Sequence, residues 1–191
     1  LPRPNLKDHR RSQILDAYEI CVARYGVEGA SLERVAEEAG LARPLIRHNV
    51  GNREDLLQAM VDRFLERSRT STRQMLDELP DEDRLMTLID WFFDPRYADP
   101  RLVLVSEALI AAGSNDPKLA RAMRKWFRDF LGGVAAVVAQ DYPDAEEGAV
   151  QAVAAGITAA LFNFESLTLI GPMTDLREAS RAAAIRLARS L

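Results

Sequence analysis

The stretch from Ser31 to Arg53, SLERVAEEAGLARPLIRHNVGNR, constrains the backbone more narrowly than any other part of the chain. Ser31 offers a side-chain oxygen to an orphan helix N–H, and Leu32, Val35 and Ala36 then place apolar groups on one face at helical spacing. Gly40 follows where the residue past a C-cap needs positive φ, which glycine adopts without a Cβ penalty. Pro44 stands in the first turn of the next helix, where a missing N–H is no loss. Gly51 closes that helix, and Asn52 with Asp55 forms a reciprocal cap for the one after it. The small Ala36, four residues before the turn glycine, lets the two short helices cross closely. A helix, a tight turn and a second helix are predicted.

The second helix carries Arg43, Leu45, Arg47 and His48 on its outward face, with Ile46 and Val50 inward. Hydrogen-bond donors beside an apolar side chain suit the DNA major groove, where an arginine forks onto guanine O6 and N7. An ordinary α-hairpin with solvated basic residues satisfies the same pattern, and the segment alone leaves both readings open.

Net charge is −4, but its distribution matters more than its sum. The first 70 residues are nearly neutral and the acidic excess lies beyond them. Positive charge gathers at Arg3, Lys7, Arg10, Arg11, Arg43, Arg47 and Arg53, while Glu33, Glu37 and Glu38 sit on the preceding helix. Arg10 and Arg11 are read as the start of the first helix, where they oppose its dipole. An outside phosphate or simple fraying accounts for that placement equally well.

A single cysteine, Cys21, excludes an intrachain disulfide and points to a reducing compartment, so a cytoplasmic protein is expected. The polar N-terminus lacks the apolar core of a signal peptide. The least polar run, Ala149 to Phe164, falls short of the roughly 20 apolar residues of a membrane span and is read as a buried helix. The acidic turn Asp81-Glu82-Asp83 is read as solvated, and no metal or cofactor is expected.

The rest of the chain is helical in pattern. The first helix runs from Arg10 to Tyr25, with Ile14, Ala17, Tyr18, Cys21, Val22 and Tyr25 as its apolar stripe. A long helix follows Asn52, with Leu56, Met60, Phe64 and Leu65 on its apolar face. Further helices are predicted over 84–93, 101–112, 118–140, 145–170 and 174–190. No segment alternates with period two, so the fold class is all-α. The domain reading is residues 1–51 for the helix-turn-helix and 52–191 for a larger helical domain.

Most aromatic side chains lie after residue 70, which fits either a packed core or an apolar ligand cavity. On the cavity reading the lining residues are Trp91, Tyr97, Glu107, Trp126, Phe127, Phe130 and Asn163. The last two helices carry small residues at close-packing intervals. Ala149, Ala152, Gly156 and Ala160, with Ala183 and Leu187, are read as a twofold homodimer interface.

The segment RRSQILDAYEICVARYGVEGASLERVAEEAGLARPLIRHNVGNREDLLQAM resembles the DNA-binding domain of the TetR (tetracycline-repressor-like) family of bacterial transcription regulators. The matching parts are the ILDA opening, the G-V-x-G-A-S turn, the V-A-x-x-A-G-L core and the G-N-R-E-D-L junction. The resemblance covers about residues 10 to 60. It implies a three-helix head with a recognition helix from Arg43 to Asn49, an all-α ligand-binding domain, and a homodimer through the last two long helices. It places Ser31, Arg43, Pro44, Leu45, Arg47, His48 and Arg53 at DNA-facing positions. The chain departs from the family at Pro44 (often Gly or Ala), Arg47 (commonly Tyr), Val50 (Phe) and Ala42 (a Ser or Thr cap). The Arg47 departure concerns which base is read and not which groove.

The expectation is a repressor that binds a palindromic DNA operator as a homodimer and is released by a small apolar effector, with no enzyme activity and no membrane partner. Two other classes compete with it. One is a helical carrier or enzyme with a vestigial helix-turn-helix, against which stands the lack of a nucleophile–base pair. The other is a regulator of this family controlled by a protein partner.

Overall fold

The apolar stripe from Ile14 to Val22 builds the first helix, α1 (Leu6–Gly29), in the computed structural model, which describes residues 6–191. Ile14, Tyr18, Cys21 and Val22 are buried, and Gly26, at φ 69 and ψ 173, kinks the helix near its end. Tyr25 departs from the stripe. It is 48% exposed and lies beneath the Arg34 guanidinium, 4.3 Å from ring centroid to Cζ, because the kink turns the last helical turn outward. The helix also begins four residues earlier than predicted. Arg10 and Arg11 therefore sit in its second turn with Asp8 ahead of them, which removes the dipole conflict read from the sequence. Arg3 lies outside the described residues.

Eight more helices follow among the described residues, with no strand, so the all-α class holds. They are α2 (Leu32–Ala39), α3 (Arg43–Val50), α4 (Arg53–Asp77), α5 (Arg84–Phe92), α6 (Pro100–Gly113), α7 (Pro117–Asp141), α8 (Glu147–Thr168) and α9 (Thr174–Ala188). A 3-10 turn, Pro95–Tyr97, links α5 to α6.

Packing groups the chain into two units, the first made of residues up to Ser68 with Leu104–Met123, the second of Arg69–Val103 with Arg124–Leu191. This is a different partition from the division at residue 51 expected from the sequence. In the first unit Val35, Ile46, Val50, Leu56, Met60 and Phe64 close over the α1 stripe. A charged clamp also ties α4 to α1. The Arg63 Nε donates to Glu19 Oε1 at 3.0 Å and its Nη1 to Asp16 at 2.8 Å, while Arg67 reaches Glu19 Oε2 at 3.2 Å. Glu19 is buried, and two guanidiniums compensate its charge.

The second unit has its own core of Leu85, Leu88, Ile89, Phe93, Val134, Val138, Val153, Ile157 and Leu161. Helix ends here are capped from a distance. Asp141, closing α7, accepts the Leu85 N–H at 2.8 Å, since Asp83 at φ 54 makes no side-chain cap. Arg84 donates to the carbonyls of Leu76 (3.0 Å) and Pro80 (3.1 Å), and so satisfies acceptors in the last turn of α4 and just past it. Gly156 lets Leu187 of the same chain pack onto α8, where an added Cβ would come 2.7 Å from Leu187 Cδ1.

The membrane reading needs a correction. At 22 residues, α8 is long and apolar enough by those two measures to cross a bilayer, because the helix extends past the apolar run on both sides. Its Val150, Val153, Ala154, Ile157 and Leu161 nevertheless form part of the second unit's core. The buried-helix reading holds for that face alone. Gln151, Ala152, Ala155 and Ala159 lie exposed on the other.

Candidate nucleic-acid interface

The turn between α2 and α3 is built by backbone chemistry. Ser31 caps α2 and accepts the Arg34 N–H at 3.4 Å. Gly40 takes φ 64, ψ 30, and the Leu41 N–H returns to the Ala36 carbonyl at 2.9 Å. This is the left-handed closure that glycine permits at a helix end. Ala42 starts α3 without a side-chain cap, and Pro44 occupies its first turn. At the other end, Asn52 Oδ1 accepts the N–H groups of Glu54 (2.7 Å) and Asp55 (3.0 Å) while Asp55 accepts the Asn52 N–H at 3.0 Å. The reciprocal cap read from the sequence is in place.

Helix α3 is divided cleanly between two faces. Ile46 and Val50 are buried, as is Asn49, whose Nδ2 donates to the Leu45 carbonyl at 2.7 Å. Arg43, Pro44, Arg47 and His48 are exposed and Leu45 is half-buried. Two hydrogen bonds hold this unit to α1, from Gln13 Nε2 to the Ala39 carbonyl (2.9 Å) and from Arg11 Nη1 to the Asn49 carbonyl (3.4 Å). The outward side chains therefore stand on a backbone secured at both helices.

Most of the head's guanidiniums have intramolecular partners. Arg43 pairs with Glu33 at 2.6 Å and Arg24 with Glu38 at 3.1 Å. Arg34 donates to the Gly29 carbonyl at 2.6 Å. The Arg53 Nη2 donates to the carbonyls of Val27 (2.9 Å) and Glu28 (3.3 Å) and to the Glu28 carboxylate (3.0 Å). Arg53 thus closes the end of α1, a task inside the fold beyond the phosphate contact expected of it. The side chains of Arg47 and His48 make no hydrogen bond or ion pair among the described residues. They are the exposed donors on α3 that no intramolecular partner holds among the described residues.

In the second unit Trp126, Phe127 and Phe130 converge on one ring that the sequence reading left out, Phe162 of α8. Their centroids lie 5.7, 5.5 and 5.7 Å from it. Phe92 joins through Phe130 at 5.8 Å. Helical spacing had shown these rings on their helices without showing which one collects the others. Trp91 and Tyr97 make a separate pair at 5.5 Å, with Tyr97 exposed. Asn163 is exposed on α8, and Glu107 lies on the stretch of α6 that belongs to the first unit. A further group, Glu165, is half-buried next to the Phe93–Phe164 ring contact. Burial, and then the nearby Asp99 carboxylate, push its pKa up to about 7. The sequence showed it only as the charge that ends an apolar run.

Among the expected interface residues, Ala152 and Ala183 are exposed, and Ala149, Gly156, Ala160 and Leu187 are partly covered within the chain.

No family model matches the chain. The HTH-type transcriptional regulator BetI of Stenotrophomonas maltophilia is 25% identical over 126 residues, which span 65% of this chain and 64% of that protein. Among solved structures, a TetR transcription regulator from Haloarcula marismortui superposes with a TM-score of 0.76 at 18% identity, covering 96% of this chain and 98% of its own. The transcriptional regulator FadR from Bacillus subtilis, in complex with stearoyl-CoA, superposes at 0.69 with 19% identity, over 94% and 98% of the two chains. The structural likeness therefore runs far beyond the 10–60 segment in which the sequence resemblance lay.

Proposed function

We propose that this chain, whose fold is that of the TetR-family transcriptional regulators, is a ligand-responsive transcription regulator that represses by occupying DNA. Two copies bind a near-palindromic operator, each laying α3 in a major groove, with the heads about one helical turn apart on one face of the duplex. Ser31 and Arg53 contact phosphate and set the register, while Arg43, Leu45, Arg47 and His48 read bases. The observation that carries the reading is the exposed face of α3, where Arg47 and His48 stand unpaired on a backbone held from behind.

The two copies meet through the outer faces of α8 and α9, whose small side chains at Ala152 and Ala183 allow close approach. The effector is a small apolar molecule held by the aromatic group around Phe162. The stearoyl-CoA in the FadR complex supports an acyl or similarly apolar ligand. Binding changes the separation of the heads by no more than the effector's preference between the two states. Any movement of the first turns of α4 carries α1, and with it α3, through the Glu19–Arg63 clamp.

The test is direct. A duplex is selected from a randomised pool by the protein, and its affinity is measured by fluorescence anisotropy beside that of a scrambled duplex. The reading requires a palindromic selected site, two chains per site by sedimentation, and a compound from a metabolite panel that both raises the melting temperature and releases the duplex. A selection yielding no site ends it.

A further inference from the structure

The first turns of α2 and α3 converge, and Glu33 meets Arg43 there, with Arg43 Nη1 2.6 Å from Glu33 Oε1. The two side chains are 56% (Arg43) and 66% (Glu33) exposed, so the pair forms no part of the core. Exposed pairs of this kind add little to stability. Its consequence is geometric: one edge of a five-donor guanidinium is engaged before DNA arrives. Arg47, one turn further along the same helix, carries no such tether.

We infer that Glu33 is a positioning residue that sets base specificity by tethering Arg43, an inference that rests on the DNA-binding reading above. With Nη1 engaged by the carboxylate, the Nε and Nη2 donors of the exposed Arg43 are left to fork onto guanine O6 and N7. The same carboxylate repels phosphate oxygens. On a duplex without the right base, an untethered arginine falls back on the nearest phosphate and retains most of its binding. The tethered arginine has to abandon Glu33 to do so and leaves an uncompensated acid beside the backbone. Glu33 thereby lowers the affinity for non-cognate DNA more than for the operator. Nothing in the ten-residue separation of Glu33 and Arg43 reveals the contact, because the α2–α3 turn makes it.

Glu33→Gln keeps the size of the side chain and removes its charge. Binding is measured against the duplex selected by the wild-type protein and against a random duplex, over a range of salt. Random-duplex affinity is expected to rise, with the log K against log salt slope steepening by about 0.9 for each head whose Arg43 turns to a phosphate. The ratio of selected to random affinity is expected to fall about tenfold, the size of one lost bidentate discrimination. In an Arg43→Ala background the same substitution moves that ratio by less than about twofold, because the effect acts through Arg43 and is lost with it. An unchanged ratio overturns the inference. An equal change in both backgrounds also overturns it and makes Glu33 a diffuse repulsive charge. If the wild-type protein selects no duplex at all, the DNA-binding reading and this inference fall together. Wild-type selectivity with an indifferent Glu33→Gln sinks the inference alone.

Discussion

Replacing Gly51 by alanine tests how α3 is joined to α4. Gly51 stands at φ 84, ψ −147, outside the regions open to an L-residue, and strain of about 1–3 kcal/mol follows from placing one there. The new Cβ also collides with the Asp55 side chain, whose Cβ and Cγ lie 2.9 Å from its position. Relief requires Asp55 to leave the Asn52 N–H, which it accepts at 3.0 Å. Losing that half of the reciprocal cap adds about 0.5–2 kcal/mol. The sum is a destabilisation of about 1.5–5 kcal/mol. Gly40 supplies the comparison. It has φ 64, ψ 30 and open space around its missing Cβ, so Gly40→Ala is expected to lose only about 1–2 kcal/mol. Urea unfolding followed by far-UV circular dichroism reads both, with unchanged m as the condition for comparison. Asp55→Ala in the Gly51→Ala background takes the carboxylate out of the collision but leaves the Cβ contact and the strain, so the double variant loses less than the two single losses added. Equal losses at Gly40 and Gly51, or strict additivity with Asp55→Ala, would refute the reasoning.

Three further outcomes follow from the packing. Arg63, 19% exposed against a Glu19 that is 7% exposed, is expected to lose about 2–4 kcal/mol on Arg63→Met. Arg67, 60% exposed on the same carboxylate, loses only about 0–1 kcal/mol as Arg67→Met, and urea unfolding separates the two. Glu165, with its pKa lifted from 4.5 to about 7, keeps its proton in the folded state where the unfolded chain has lost it. Stability therefore falls as pH rises from 4.5 to about 7 and levels off above, and Glu165→Gln is expected to flatten that slope in melting curves recorded across the range. Gly156→Ala pushes a methyl against Leu187 Cδ1, the movable end of a half-buried side chain, and gains about 0.5–1 kcal/mol of helix propensity, so a net loss of about 0–2 kcal/mol is expected in thermal unfolding, smaller still in a Leu187→Ala background.

What could be read in advance was what the backbone decides within a few residues. Ser31, Gly40, Pro44, Gly51 and the Asn52–Asp55 cap each answer a local demand for a partner or a dihedral, so their roles followed from type and spacing. The sequence ended the first helix at Tyr25, and the outward turn of that side chain needed the geometry of the Gly26 bend. Contacts between distant residues stayed hidden because long flexible side chains reach wherever the packed helices allow. Arg53 on the Val27 carbonyl, Arg63 on Glu19 and Asp141 on the Leu85 N–H bridge 26, 44 and 56 residues. The candidate interface was legible to the level of which face of α3 points outward. Which of its arginines is already engaged depended on Glu33, a residue on another helix. In the second unit, the aromatic periodicity identified a cluster without its hub, since four helical rings at similar spacing give no rank to Phe162.

The central claim is that α3 reads DNA through its outward side chains, and Arg47→Ala measures it most directly. Arg47 is exposed and untethered, so its removal leaves the fold intact and takes away one reader. Affinity for the selected duplex, and for the same duplex changed one base pair at a time, is compared between the wild-type and variant proteins. A loss of about 1–3 kcal/mol per half-site is expected, with preference relaxed at one symmetric pair of positions and kept elsewhere. Unchanged affinity for the selected duplex, with every base preference intact, would contradict the claim.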